Sequence, residues 1–293
     1  MRKPPRGFWD HLGRKAPDIL YHYTSLDSLT KIVSGRSLLA SDTRFLNDKK
    51  ELIHLTKTIT DRLRERMLGA DDDTRPALHW LLNHLDSNQH DPVYVVSFSS
   101  KADDLSQWRG YTPPSQGVCI GFRTKALKEA LDQAKGDRHE QARFLMLGRM
   151  IYLGENEGES FDDFITAACG YIDVMNGEPV RTVAAERLIV SAMPFYKHVA
   201  FKDEREWRIR MSANSVFIHD PLPVVSRLGR SSLVPATPLT FKGTNSEDSF
   251  IGEIIVGPTP EEENSVYAMR EFVDAEHLRE VSVTASRIPY RSW

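Results

Sequence analysis

Three short segments of this chain carry side chains with chemical reach. The first is Leu20-Tyr21-His22-Tyr23-Thr24-Ser25, a strand-like run that ends in hydroxyl residues. A histidine at a strand end can face a cleft, and Ser25 is placed to cap the helix that follows. The second runs from Ser97-Phe98-Ser99 to Gln107-Trp108-Arg109-Gly110-Tyr111. Here a strand ends in hydroxyls, and the loop beyond it carries aromatic faces and a guanidinium fork suited to a planar, phosphorylated ligand. Ser106, Gln107 and Arg109 are a polar set that is costly to bury without a partner; the plain alternative is an aromatic loop that plugs the core. The third segment holds Glu204, Glu206, Arg208 and Arg210 in alternation. Period-two spacing puts these charges on one strand face and Trp207 and Ile209 on the other. The carboxylates then either project into a cleft or form a solvated edge.

The surrounding pattern shows which elements must position them. Residues 25–35 place Leu26, Leu29, Ile32 and Val33 on one helical face, with Gly35 just past the end. A second helix is predicted from Asp48, with Glu51 as in a capping box and Leu52, Leu55, Ile59 and Leu63 in period, to about Met67. Pro76 opens a third, carrying Leu78, Leu81, Leu82 and Leu85. Short β-branched and aromatic runs predict strands at 93–98, 118–122, 207–211, 216–218, 251–256 and 281–284, with another at 150–153. Helical patterns return between Thr124 and His198 and at 261–273, whereas 221–248 reads as loops around one or two short strands. Some neighbouring strands lack room for a crossover. This favours an α+β fold with a mixed, mainly antiparallel sheet, a helix-rich N-terminal third and inserted helices at about 124–198. We read residues 1–293 as one domain; the alternative cut lies near 154–159.

Composition narrows the classes. With 38 Lys+Arg against 41 Asp+Glu, 40% hydrophobic and 27% charged residues, the chain is of the folded type. Its formal charge of -3 offers no general attraction for polyanions. The two cysteines, Cys119 and Cys169, have no CxxC spacing, which speaks against a zinc knuckle or disulfide framework and fits a reducing cytoplasm. No run approaches the roughly 18 apolar residues of a membrane helix, so no membrane partner is expected. GxGxxG, P-loop, HExxH and GxSxG motifs are absent, the ten histidines are scattered, and no metal site is expected.

Taken in order, the three segments resemble the ADP-ribosyltransferase superfamily, whose pattern is an early His, a central Ser strand and a late Glu opening a strand. Leu20 to Ser25, with the stretch Ile32-Val33-Ser34-Gly35-Arg36-Ser37-Leu38, resembles its His-Gly-Thr segment and following helix-Gly-Leu stretch. Ser97-Phe98-Ser99 resembles its Ser-Thr-Ser strand and Glu204-Arg205-Glu206 its Glu-x-Glu, although Tyr23 stands where the superfamily has Gly and Phe98 where it has Thr. The chain is also similar, along nearly its whole length, to an uncharacterised bacterial family carrying a domain of unknown function. The matching segments are His22-Tyr23-Thr24-Ser25, Phe45-Leu46-Asn47-Asp48, Gln107 to Tyr111, Gly117-Val118-Cys119-Ile120-Gly121-Phe122, Phe201 to Arg208, and Ile254-Ile255-Val256-Gly257-Pro258.

The transferase resemblance implies a split sheet and NAD as co-substrate. It implies Glu206 as the carboxylate that holds the ribose 2′-hydroxyl as positive charge develops. Glu204 would act on the acceptor, and His22, with Tyr23, Thr24, Ser97 and Ser99 around it, would bind the nucleoside. Trp108 or Tyr111 would stack on nicotinamide, and Arg36, Arg109 and Arg208 would meet the pyrophosphate. The implied function is NAD-dependent ADP-ribosylation of a protein or nucleic acid in a cytoplasmic toxin or anti-phage effector, with room for an inhibitory partner protein. Two other readings stay open: a catalytically silent nucleotide-sensing or nucleic-acid-binding module, and a NAD-using RNA 2′-phosphotransferase-like enzyme.

Overall fold

Alternating and β-branched segments pair into a sheet, and the apolar stripes of the helices at 26–35 and 124–135 pack on one of its faces. The computed structural model describes residues 15–46, 49–72, 74–86, 92–135, 143–153, 173–175, 178–180, 192–213, 222–229, 231–242, 249–278 and 280–289. The strands are β1 (Ile19–Ser25), β2 (Ser37–Asp42), β3 (Tyr94–Ser99), β4 (Gly117–Arg123), β5 (Arg143–Arg149), β6 (Ile151–Leu153) and β7 (Asp173–Met175). They continue as β8 (Glu178–Val180), β9 (Tyr196–His198), β10 (Glu206–Ala213), β11 (Val225–Leu228), β12 (Leu233–Thr240), β13 (Ile251–Val256) and β14 (Ser282–Ala285). The helices are α1 (Leu26–Gly35), α2 (Lys49–Leu68), α3 (Arg75–Asp86), α4 (Leu105–Tyr111), α5 (Thr124–Lys135) and α6 (Glu262–Ala275).

Among the described residues, ten strands form one sheet in the order β11-β12-β2-β3-β1-β4-β13-β14, with β10 added on β3 and β5 on β10. Its pairs are antiparallel except β13 with β14, so the fold is α+β with a mixed, mainly antiparallel sheet. Strand β3 decides where a site can form. Along one edge it pairs with β10 from Tyr94 to Ser99. The other edge is shared: β1 meets it with Tyr21 opposite Ser99, and β2 with Ser41 and Asp42 opposite Val95 and Tyr94. The sheet therefore forks beside Val96, Ser97 and Phe98, whose edge groups must find partners outside the ladder.

Residues paired across a ladder share a face. Leu20, Phe98, Trp207 and Ile209 face the main core, where they meet Leu29, Ile32 and Val33 of α1 and Leu127 and Leu131 of α5. On the other face lies a small cluster of Tyr23, Trp108, Cys119 and Ile255. At the head of α1, Ser25 Oγ accepts from the Ser28 N–H at 3.1 Å, as its position predicts. At the tail, Gly35 is the last helical residue, and Arg36 rather than a glycine takes the left-handed conformation, with φ 42°. Asp48, of the expected capping box, and the expected strand at 216–218 lie outside the described residues.

The predicted helical insertion is corrected over its described part: after α5 come five strands, β5 to β9. Leucine and methionine in Arg-Phe-Leu-Met-Leu-Gly-Arg suit a helix by propensity, but full-length pairing of β5 with β10 overrides it. No helix among the described residues is long and apolar enough to cross a membrane.

Candidate active site

At the fork lies a small open cleft. Its walls are Tyr21, His22 and Tyr23 of β1, Ser97, Phe98 and Ser99 of β3, Gln107 and Tyr111 of α4, and the pair Glu204 and Glu206. All three chemically promising segments thus meet at one place.

Glu204 closes a 3₁₀ turn (Val199–Glu204), and Arg205 then takes a left-handed conformation, φ 47°, before β10 begins at Glu206. Three hydrogen bonds pin this corner. Ser99 Oγ donates to the Glu204 carbonyl at 2.7 Å, the Ser100 N–H to the Arg205 carbonyl at 3.2 Å, and the Glu206 N–H to Tyr152 Oη at 2.8 Å. The simple alternation is therefore corrected, because Glu204 belongs to the turn. The charged face of β10 is not a solvated edge either: Glu206 and Arg208 are each 5% exposed and Arg210 is fully buried.

Lys197 of β9 joins the two carboxylates. Its Nζ lies 2.7 Å from Glu204 Oε2 and 3.1 Å from Glu206 Oε2, and its side chain is 1% exposed. Nothing in the local sequence marks this lysine. It arrives, along with Tyr152, through the parallel pairing of β6 with β9. Glu206 also accepts from Arg208 Nε at 2.6 Å and Arg208 Nη2 at 3.3 Å. Burial alone would raise its pKa, but Arg208 and Lys197, aided by the Ser97 hydroxyl, outweigh burial and bring it down to about 2. Glu204 goes the other way. Burial raises its pKa, Glu206 adds to the rise, and Lys197 and the Tyr111 hydroxyl, which donates to Oε1 at 3.1 Å, only partly oppose it. Two adjacent carboxyls pushed apart in this way are suited to different tasks.

His22 occupies the fork itself. Its Nδ1 lies 2.9 Å from the Ser97 carbonyl, a group freed by the split of the ladder. A carbonyl only accepts, so Nδ1 carries the proton and Nε2 is left as an acceptor. Burial, with help from the charge of Arg227 on β11, lowers the pKa of the ring and keeps it neutral. The two serines hold the site together: Ser97 supports His22 and Glu206, and Ser99 is committed to the Glu204 carbonyl and the Lys101 N–H.

The aromatic residues divide. Tyr23 Oη donates to the Lys101 and Ala102 carbonyls at 2.9 and 2.8 Å and accepts from the Asp104 N–H at 3.1 Å. Its ring meets Trp108 edge-on at 4.9 Å, and Trp108 Nε1 donates to Asp103 at 2.7 Å. Trp108, 2% exposed, is therefore a core plug outside the cleft, and of the two aromatic residues only Tyr111, 40% exposed, is in the cleft wall. Trp108→Ala should cost about 3–5 kcal/mol of stability. Tyr111→Ala should leave thermal denaturation nearly unchanged while weakening a stacked ligand by about 1–3 kcal/mol.

Four other expected residues do not reach the cleft. Thr24 is not in its wall. Arg36 Nε donates to the Phe241 carbonyl at 3.4 Å, and its guanidinium lies 5.2 Å from the Phe250 ring centre. Arg109 lines a separate cleft with Trp108, Pro113, Pro114 and Pro258. Arg208 is bound to Glu206 and to the Pro194 carbonyl. In their place the structure brings in Gln107, whose i, i+4 spacing from Tyr111 on α4 was the available signal.

Residues 107–209 match a family model described as a protein of unknown function, DUF2971. The matched stretch contains Gln107, Tyr111, Lys197, Glu204 and Glu206, and excludes His22 and Ser97. No curated protein and no solved structure matches the chain.

Proposed function

We propose that the cleft binds the nicotinamide-ribose end of NAD and that the protein transfers the ADP-ribosyl group to a macromolecular acceptor. One observation carries the reading: His22, Ser97, Tyr111, Glu204 and Glu206, from three distant segments, line a single cleft where the sheet forks.

In the proposed reaction the bond between ribose C1′ and the nicotinamide nitrogen breaks, and its electron pair leaves with nicotinamide. Glu206, ionised and immobilised by its donors, is a preorganised negative charge for the developing ribose cation. A nucleophile of the acceptor bonds to C1′ and gives its proton to Glu204, whose raised pKa suits a general base. The neutral His22 accepts from a ribose hydroxyl at Nε2. The toxin or anti-phage setting, with a restraining partner, rests on the resemblance.

The silent-module reading is favoured by one specific observation, the saturation of Glu206 by Arg208, Lys197 and Ser97. Incubating the protein with labelled NAD and cell extract separates the two. Release of nicotinamide with label entering protein or nucleic acid is the expected result. Dinucleotide binding without nicotinamide release would instead establish the silent module.

A further inference from the structure

We infer that Gln107 selects the ligand of this cleft by pairing its side-chain amide with a carboxamide, that of the nicotinamide ring; the inference rests on the functional reading above. Asp104 caps the head of α4 by accepting from the N–H groups of Ser106 and Gln107, at 2.9 and 3.4 Å, and is itself held by Lys101 at 2.8 Å. Gln107 thus stands on a fixed turn. Trp108, its neighbour, is packed away on Tyr23, which leaves Gln107 and Tyr111 on the face of α4 toward the cleft.

Gln107 is 6% exposed and lines the cleft, and among the described residues no hydrogen bond engages its side-chain amide. Its amide nitrogen and oxygen are not among the fully enclosed polar atoms, so the surface they keep opens on the cleft, where a ligand can pair them in place of water. Apart from His22, whose Nε2 remains an acceptor, the other polar side chains of the wall have partners within the protein. Ser99 is held by the Glu204 carbonyl, Tyr23 by the 101–104 loop, Tyr21 by Glu253 at 2.7 Å, and Tyr111 by Glu204. Gln107 offers a donor and an acceptor in one plane. A carboxamide answers both: its oxygen accepts from Gln107 Nε2 and its NH₂ donates to Gln107 Oε1. A carboxylate in the same place answers only the donor and sets oxygen against oxygen.

The test is a calorimetric titration of NAD and of its nicotinic acid analogue against wild type, Gln107→Leu and Gln107→Lys, with thermal denaturation as the folding control. Wild type should prefer the carboxamide by at least about tenfold, because a site built to hydrogen-bond a group discriminates against its absence. Gln107→Leu should fold, bind NAD about tenfold more weakly and lose the preference. Gln107→Lys should prefer the acid. NAD binding with a preference that survives Gln107→Leu overturns the role of Gln107 and leaves the functional reading standing. Binding of neither dinucleotide to wild type overturns both.

Discussion

Glu206→Gln should lower the free energy of unfolding by about 3–5 kcal/mol, the cost of removing one member of a buried ion pair. A surface carboxylate would lose only a few tenths of a kcal/mol. The expectation follows from what the substitution leaves behind. Arg208, 5% exposed, would lose the negative charge that pairs its guanidinium, and Lys197 would keep one carboxylate instead of two. Denaturant unfolding of wild type, Glu206→Gln, Arg208→Met and the double variant measures the coupling. The double variant should recover about 0.5–3 kcal/mol relative to the sum of the single losses, since neither charge is then stranded. Strict additivity would mean that the pair does not couple. The sign of the pH dependence follows from the same geometry. Because the folded carboxyl is drawn down to about 2, its contribution is fully present above the ordinary carboxylate pKa of 4.5 and is lost as pH falls from there toward 2. Glu206→Gln should flatten the stability profile in that window.

Glu204→Gln should spare the fold and harm the reaction. Lys197 retains Glu206, and a glutamine that turns its oxygen to Lys197 can donate its amide N–H to Tyr111 Oη, so stability should fall by less than in Glu206→Gln. If Glu204 takes the proton of the acceptor, transfer of label should fall by about 10²- to 10⁴-fold. NAD affinity should stay within about twofold, because the interaction belongs to the transition state. Release of nicotinamide in the absence of acceptor should fall less than transfer does. Label transfer at the wild-type rate would remove Glu204 from the mechanism, whatever Glu206 does.

The local pattern was a good guide wherever neighbours in sequence decide the structure. Leu29, Ile32 and Val33 recur at the helical period and α1 forms on them; the β-branched run at 251–256 is β13 to the residue. The types and spacing in Tyr-His-Tyr, Ser-Phe-Ser and Glu-Arg-Glu also marked the segments that meet at the cleft. What periodicity describes is which face of an element is apolar. It carries nothing about which distant strand will pair with it. Full-length pairing with β10 turned the leucine-rich 143–149 segment into a strand. Pairing of β6 with β9 delivered Lys197 and Tyr152 to the glutamates. Trp108 and Tyr111 lie three residues apart on one helix, and packing against Tyr23 chose the first as a plug and left the second for the cleft. The identity of the two carboxylates was thus determined by the sequence alone. Their opposite proton affinities were decided only by the folded structure, because charge on a buried group is set by the distances to Arg208 and Lys197 and by the water that burial removes.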